Sequence, residues 1–369
     1  MIDPATPRTY FAAANSARGF VNFFEPCFSE ERCEHLYIIK GGPGTGKSHL
    51  MRTVARHARR AGCEVTAYAC SSDPASLDGV LCRQNGRPGI GFLDGTPPHV
   101  WEPRLPGVRE SLVDLGRFWD SHALRGQEQE IRRLTDKKAA AYRRAYSLLS
   151  AAGEVDRVAD ERLSSCIRWP RLYGLIDRFL RPLTAGVGKH AGLSISPVPA
   201  LRRALSMKGD ITLNSYEREI MTAGGNVIHL QDYYGVAGIL LTKLLEASLS
   251  RGISPTVSYD PLRPEKVDGL LYPLSGLCIL AGRVDVPNEE STTLRSISLK
   301  RLVDPTALRG ARVEMRRLIG QREALMQNAL DHLGKASGHH FALEIIYKET
   351  MNFDAVTALT EELCKDLFG

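Results

Sequence analysis

The chain is organised around residues 41–48, which read Gly41-Gly42-Pro43-Gly44-Thr45-Gly46-Lys47-Ser48. This stretch fits the pattern G-x-x-x-x-G-K-[ST] of a phosphate-binding loop, the Walker A motif. Its glycines let the backbone curl with N–H groups pointing inward, at φ angles that a side chain would forbid. A nest of this kind at the start of a helix holds phosphate oxygens. The pattern therefore predicts that Lys47 reaches the outer phosphates of a nucleotide and that the Ser48 hydroxyl binds Mg²⁺.

The segments on either side agree with this interpretation. The apolar run Leu36–Ile39 is typical of a strand, and His49–Arg60 has apolar residues on one helical face and basic residues elsewhere. Strand, glycine loop and helix form the context that the motif requires. We therefore assign the nucleotide contacts to Gly41, Gly42, Pro43, Gly44, Thr45, Gly46, Lys47, Ser48 and His49.

Composition narrows the class of protein. A chain of 369 residues fits about two domains, and 43% hydrophobic with 24% charged residues is typical of a globular protein. The N-terminal sequence has no signal-peptide pattern and no apolar run is long enough to span a bilayer, so we expect a cytoplasmic protein without a membrane partner. The eight cysteines show no C-x-x-C spacing, which favours reduced thiols. A net charge of +6 is compatible with nucleic-acid contact but does not favour it.

Acidic residues follow two further predicted strands. Cys63–Cys70 alternates like a strand, and Gly89–Asp94 is an apolar run that ends in an acid. Ligands of open α/β sheets bind at the carboxyl ends of the strands. We predict that Asp94 is the Walker B acid that binds Mg²⁺ beside Ser48. Asp73 either lies near a second substrate or the γ-phosphate, or only shapes an Asp-Pro turn.

Helical spacing dominates from Pro106 to about Leu183. The predicted helices are Val108–Trp119, Ala123–Ala152, Glu154–Cys166 and Arg171–Leu180. Their many arginines favour a solvated face over a polyanion-binding surface, because acids are interleaved with them. Residues 183–199, rich in Gly, Ser and Pro, are typical of a linker.

The second half of the chain repeats the first. With a shift of 184, Ala123-Leu124-Arg125-Gly126 aligns with Ala307-Leu308-Arg309-Gly310, and the match continues without a gap over about sixty positions. A chance match would give only a handful of identities over that length. We interpret the pattern as an internal duplication.

The glycine loop also has a counterpart, Asp232–Ile239, at a slightly different shift. There Gly235 takes the position of Gly44, and three chemically important residues are lost: Gly238 replaces Lys47, Ile239 replaces Ser48 and Ala281 stands near the position of Asp94. This loss predicts a second half that does not hydrolyse a nucleotide. Arg263 or Arg283 would be either an arginine finger reaching the intact site or a surface residue.

Four runs carry a resemblance to a known family: Lys40–Ser48, Cys70–Gly79, Leu93–His99 and Leu115–Asp120. They resemble a poorly characterised family of bacterial P-loop proteins that are described as ATPase-like or nucleotide-kinase-like. The resemblance implies that ATP binds at Gly41–Ser48. It does not identify a substrate.

These observations predict an α/β fold with two tandem P-loop NTPase-like domains, each a mainly parallel sheet flanked by helices and carrying a helical extension. The domains would span residues 1–185, with an extension at about 106–183, and residues 186–369, with an extension at about 305–369.

Three functions remain open. The first is an Mg-ATP-dependent hydrolase whose cycle moves the two halves or an unknown protein partner. The second is a kinase that passes the γ-phosphoryl group to a nucleotide or small-molecule acceptor, with Asp73 or Asp78 as the base. The third is an ATP-gated binding module that hydrolyses slowly. His99, in the loop after Asp94, would orient a water or a substrate, or would have no role.

Overall fold

The structure is a computed structural model, and its main elements are two six-stranded sheets with helices packed on each. The structure describes residues 8–84, 86–184, 197–282 and 294–369 of the 369. Most of the predicted linker at residues 183–199 lies outside these ranges, and Arg283 lies wholly outside them. None of the helices in the described ranges is long and apolar enough to cross a membrane.

The first half contains eight strands and five α-helices in its described part. In chain order they are β1 (Arg8–Phe11), β2 (Ala13–Ser16), β3 (Gly19–Asn22), α1 (Phe24–Cys27), β4 (Cys33–Lys40), α2 (Lys47–Arg60), β5 (Glu64–Ala69), β6 (Leu77–Arg83), β7 (Gly89–Asp94), β8 (Glu110–Asp114), α3 (Ser121–Gly126), α4 (Glu128–Ser164) and α5 (Trp169–Thr184). The predicted strands around Leu36–Ile39, Cys63–Cys70 and Gly89–Asp94, and the helix after the glycine loop, are confirmed.

The described residues of the second half form another eight strands and four α-helices. These are β9 (Val198–Pro199), β10 (Arg203–Ser206), β11 (Gly209–Thr212), α6 (Ser215–Thr222), β12 (Asn226–Gln231), α7 (Val236–Leu249), β13 (Thr256–Tyr259), β14 (Val267–Tyr272), β15 (Leu277–Ala281), β16 (Leu294–Ser298), α8 (Pro305–Glu349) and α9 (Phe353–Phe368). Short 3-10 helices occur at Gly116–Phe118, Pro273–Ser275 and Leu299–Leu302.

Both sheets have the same topology. The first has the order β1-β5-β6-β7-β4-β8, and the second has the order β9-β13-β14-β15-β12-β16. In each sheet five strands run in one direction and a single strand, β6 or β14, runs antiparallel to its neighbours. The fold is therefore α/β with mixed, mostly parallel sheets flanked by helices. The shared order agrees with the duplication read from the sequence.

Two helix predictions are wrong. Val108–Trp119 is not a helix, because Glu110–Asp114 forms strand β8 and pairs in parallel with the end of β4. Pairing along the open edge of β4 outweighs the local helical spacing. Ala123–Ala152 and Glu154–Cys166 are not separate helices either, since α4 runs unbroken through Gly153. A Cβ at Gly153 would lie 2.5 Å from the Cβ of Ala17, so glycine here makes room for the β2–β3 turn.

The helical segments connect the two halves. Helices α4 and α8 pack along their length in opposite directions, with Leu134 near Leu343 at one end and Arg162 paired with Glu314 at the other. Beyond them, α9 of the second half packs on α2 of the first through Val356. Helix α5 of the first half packs in the same way on α7 of the second. Each half thus packs its C-terminal helix against a helix of the other half.

His229 on β12 predicts an acid-sensitive core. Its side chain is buried, and neither ring nitrogen has a hydrogen-bond partner among the residues that the structure describes. Burial, reinforced by the charge of Arg202, lowers the pKa of His229 from 6.5 to about 4. Between these two values the unfolded chain binds a proton that the folded chain does not, so stability is lost as pH falls through this window.

The free energy of unfolding of the wild type should fall between pH 7 and pH 5, in part because of His229. We expect this fall to be about 2 kcal/mol smaller in His229→Leu. Urea unfolding at both pH values measures this difference. His122→Leu, at an exposed position on α3, is the matched control and should leave the pH dependence unchanged. An identical pH slope in wild type and His229→Leu would contradict the prediction.

Candidate functional site

The glycine loop joins the end of β4 to the start of α2. Gly44 and Gly46 have φ angles of 72° and 92°, in the left-handed region that favours glycine. A Cβ at Gly44 would also lie only 2.7 Å from the carbonyl oxygen of Glu344. Within the described residues, the backbone N–H groups of Gly44, Gly46 and Lys47 donate to no protein acceptor. These N–H groups, at the positive end of the 14-residue helix α2, are available to an anion.

Lys47 and Asp94 come together at this loop, as the sequence predicts. The Lys47 ammonium donates to the carbonyl oxygens of Gly41, at 3.0 Å, and Gly42, at 2.7 Å. It also lies 3.6 Å from Oδ2 of Asp94, and both side chains are about one-eighth exposed. Parallel pairing of β4 with β7 sets Asp94 beside Ile39, at the strand end that leads into the loop.

The Asp94 carboxylate has a fixed orientation. Its Oδ1 accepts hydrogen bonds from the backbone N–H of Thr96, at 2.9 Å, and from the Thr96 hydroxyl, at 2.5 Å. Oδ2 is the oxygen that faces Lys47. One carboxylate oxygen is thus held by its own loop while the other faces the ammonium group.

The remaining loop residues make local contacts. The Thr45 hydroxyl donates to the carbonyl oxygen of Gly42 at 3.0 Å, which stabilises the curl of the loop. The Ser48 hydroxyl accepts the backbone N–H of Leu77 at 3.0 Å and keeps its remaining lone pair. His49 is exposed on the first turn of α2, and Pro43 is half-buried in the loop.

Asp73 shapes its own turn. Its carboxylate accepts the N–H of Ala75, at 3.3 Å, and the hydroxyl of Ser76, at 2.9 Å. These bonds agree with the turn interpretation of Asp73.

Asp78 and His99 form a buried pair close to Asp94. The Asp78 Oδ1 lies 3.4 Å from His99 Nε2, while Asp78 Oδ2 and His99 Nδ1 have no hydrogen-bond partner in the part of the chain that the structure describes. Burial raises the pKa of the Asp78 carboxyl, an effect that the imidazole of His99 opposes and the charge of Asp94 reinforces. Burial, reinforced by the charge of Asp78, raises the pKa of the Cys70 thiol.

One ligating atom each of Cys70, Asp78 and His99 lies within 4.8 Å of the others, a cluster that could hold a metal ion. Spacings of eight and twenty-one residues match no metal motif, so sequence reasoning had no signal for it.

The end of α8 covers the outer side of the glycine loop. A Cβ at Gly42 would lie 3.1 Å from the ring of Tyr347 and 3.3 Å from that of Trp119. A Cβ at Gly44 would lie 3.0 Å from Cγ of Lys348. A hydrogen bond of 2.8 Å from the N–H of Asp120 to the carbonyl of Thr350 fixes this arrangement. The loop of the first half therefore has a wall supplied by the second half.

Lys138 on α4 is a site residue that sequence reasoning missed. Its side chain is half-buried, and burial followed by repulsion from Lys47 lowers its pKa. Two ammonium groups whose charges interact repel each other, and a bound anion would relieve that repulsion. Helical periodicity cannot distinguish Lys138 from its neighbour Lys137, so only the tertiary structure reveals its position.

The counterpart loop of the second half is closed by its own carboxylate. Asp232 accepts the backbone N–H of Gly235, at 2.8 Å, and of Ala237, at 2.7 Å. Gly235 is the N-cap residue of α7, as Gly46 is of α2, and both have left-handed φ angles, of 100° and 92°. At the equivalent positions of α2, the N–H groups of Gly46 and Ser48 donate to no protein acceptor among the described residues. The nest is thus open in one half and filled by an internal anion in the other.

The space beside Gly238, the residue that the sequence alignment sets at Lys47, is filled by Lys266. A Cβ at Gly238 would lie 3.0 Å from Cε of Lys266, whose ammonium lies 3.2 Å from Asp156 and 2.9 Å from Asp160 on α4. The β12–β15 register sets Ala281 beside Leu230, as Asp94 stands beside Ile39, so the lost acid is located as predicted.

Arg263 belongs to this second cluster. Its guanidinium lies 2.6 Å from Asp160 and 3.1 Å from Asp156, and it also binds Glu265. The structure therefore does not bring Arg263 to Gly41–Ser48 as an arginine finger, because the α4 carboxylates hold it at the degenerate loop. The other predicted finger, Arg283, lies outside the described residues.

Comparison with known proteins gives a local similarity. A family model described as Nephrocystin 3, N-terminal, matches residues 23–81, a small part of the chain that runs from α1 to β6 and includes the glycine loop. No curated protein and no solved structure matches the chain.

Proposed function

We propose that the first half is a P-loop NTPase domain that binds Mg-ATP at Gly41–Ser48 and hydrolyses it, while the second half is a catalytically inactive twin. The observation that carries this proposal is the placement of Lys47. Its partly buried ammonium lies between two loop carbonyls and the Asp94 carboxylate, at a helix N-terminus whose N–H groups have no acceptor within the described residues. This arrangement suits a polyphosphate.

The donor groups fit both components of Mg-ATP. The open nest and two ammonium groups, Lys47 and Lys138, suit phosphate oxygens. The Ser48 hydroxyl and the Asp94 carboxylate are the hard oxygen ligands that Mg²⁺ prefers. When bound, Mg²⁺ neutralises charge on the phosphate oxygens. The resemblance to bacterial P-loop ATPase-like proteins supports adenine over guanine.

Contacts within the protein hold Lys47, Asp94 and the glycine loop in position. The loop carbonyls hold Lys47 in the loop before a ligand arrives, so little side-chain ordering remains to be done on binding. Thr96 keeps Asp94 oriented, and Tyr347 with Trp119 backs the loop. The filled nest of the second half supports the same interpretation, since Asp232 provides there the negative charge that a ligand would provide in the first half.

A kinase is the second candidate, and the Asp78–His99 pair favours it. Asp78 Oδ2 is buried without a partner, and a raised pKa suits a carboxylate that accepts a proton from an acceptor hydroxyl. His99 would hold Asp78 in position through its Nε2. The acceptor would be a nucleotide or a small molecule, and Asp78 replaces Asp73 as the preferred base.

Phosphate release from Mg-ATP by the full chain tests the proposal. We expect Lys47→Ala to weaken ATP binding at least tenfold, because the phosphates lose a buried positive charge. We expect Asp94→Asn to lower turnover about a hundredfold with a smaller effect on ATP affinity, because its role is in the Mg²⁺-dependent step. Asp136→Asn, an exposed acid on α4, is the matched control and should behave as wild type.

The outcomes separate the candidate functions. Release without an acceptor supports the hydrolase, and transfer that requires one nucleoside or metabolite, lost in Asp78→Asn, supports the kinase. Tight ATP binding with neither reaction would favour the ATP-gated binding module. Wild-type binding and turnover in Lys47→Ala would refute nucleotide chemistry at this loop.

Lys138 gives a second, structure-specific prediction. Lys138→Ala should weaken ATP binding about fivefold to tenfold, because it removes a half-buried charge near Lys47. Lys137→Ala removes the same charge from an exposed neighbouring position and should change the affinity less than twofold. Titration calorimetry measures both. An equal loss of ATP affinity in the two variants would contradict the prediction, because it would show that only the net charge of the protein affects binding.

A further inference from the structure

A strongly basic cavity lies where α5 of the first half meets the second half. It has a volume of about 1020 Å³ and lies between α5, the loop after β12, the end of β16 and the start of α8. Seven cationic side chains line it: Arg168, Arg171, Arg178, Lys300, Arg301, Arg309 and Arg312. Ligand pockets for small molecules have volumes up to this size.

Few of these charges are neutralised by the protein. No Asp or Glu is among the described residues that line the cavity. Arg168 lies 3.6 Å from Asp304, whose carboxylate also caps the N-terminus of α8. Arg171 donates to the carbonyl oxygen of Arg301 at 3.4 Å. The other five cations have no carboxylate partner in the described part of the chain, so a positive potential is concentrated in a concave site.

The basic character is specific to this cavity and is not repeated at the equivalent positions of the duplicated fold. At the shift of 184, Arg178 and Arg312 correspond to the acids Glu362 and Glu128 of the repeat. Arg168, Arg171 and Lys300 correspond to neutral residues, namely Asn352, Ala355 and Gly116, and Arg301 and Arg309 to arginines, Arg117 and Arg125. The duplicated fold therefore does not require these charges. Five of the seven differ from their counterparts in the repeat in the direction that attracts anions.

The cavity also has an apolar wall. Tyr233 of the degenerate loop lines it together with Ile297, Val303 and Leu308. A concave site of limited volume, with cations and one aromatic ring, suits a compact ligand better than an extended polymer. We propose that this cavity binds a small, multiply phosphorylated ligand, with its phosphates on the arginines and its apolar part against Tyr233. The proposal does not depend on the chemistry at Gly41–Ser48.

Calorimetry with inorganic tripolyphosphate tests this site. All titrations use the full chain carrying Lys47→Ala, so that the glycine loop does not contribute. The double variant Arg178→Glu with Arg312→Glu restores the acids of the repeat at two exposed helix positions. We expect it to weaken tripolyphosphate binding at least tenfold. Arg143→Glu together with Arg144→Glu, at exposed positions on α4, makes the same charge change elsewhere and should have less than a twofold effect.

Three results would overturn the proposal. The first is the absence of tripolyphosphate binding to the Lys47→Ala chain at low salt. The second is an equal loss in the two double variants, which would reduce the effect to net charge. The third is tight binding of a twenty-nucleotide single-stranded DNA that tripolyphosphate does not displace, which would make this face a nucleic-acid surface. Circular dichroism of each variant checks that the fold is retained.

Discussion

The antiparallel packing of α4 against α8 is the contact on which the rest of the molecule depends. Small and apolar residues meet along it, including Ala145 and Leu149 of α4 and Ala329 and Leu333 of α8. Because the helices run in opposite directions, the end of each one reaches the loop of the other half. Glu344, Tyr347 and Lys348 meet the intact loop, and Asp156 and Asp160 meet the degenerate one. Neither loop is complete without the partner half.

The two loops show how one backbone serves two electrostatic roles. A curled loop before a helix concentrates N–H groups that need a negative partner. In the second half Asp232 supplies that partner, Lys266 fills the space beside Gly238, and α4 carboxylates neutralise the added cations. In the first half the N–H groups at the start of α2 have no acceptor among the described residues, and Lys47 repels Lys138. The difference predicts an exogenous anion at one loop only, since the other already holds its own.

Local pattern was enough to predict the strands before and after the glycine loop, and the residues Lys47 and Asp94. These features depend on short-range spacing, and the parallel register of β4 with β7 then brings them together. The pattern failed at Val108–Trp119, where pairing with β4 decides the structure. It named Asp78 and His99 only as separate candidates and not as a pair, and it missed Lys138, because these residues come from different elements and meet only through long-range packing. The basic cavity was missed for the same reason, since its cations lie on α5, the Leu299–Leu302 turn and α8.

Hydrogen–deuterium exchange with and without Mg-ATP tests the central claim most directly, because it reports where the ligand binds without requiring turnover. The account predicts slower exchange at residues 42–50, and also at 343–351 of the second half, which cover that loop. Exchange at residues 232–239 should be unchanged, since the Asp232 carboxylate already occupies that nest. Saturating Mg-ATP without protection at 42–50, or with protection at 232–239 instead, would contradict the assignment of the nucleotide site to the first half.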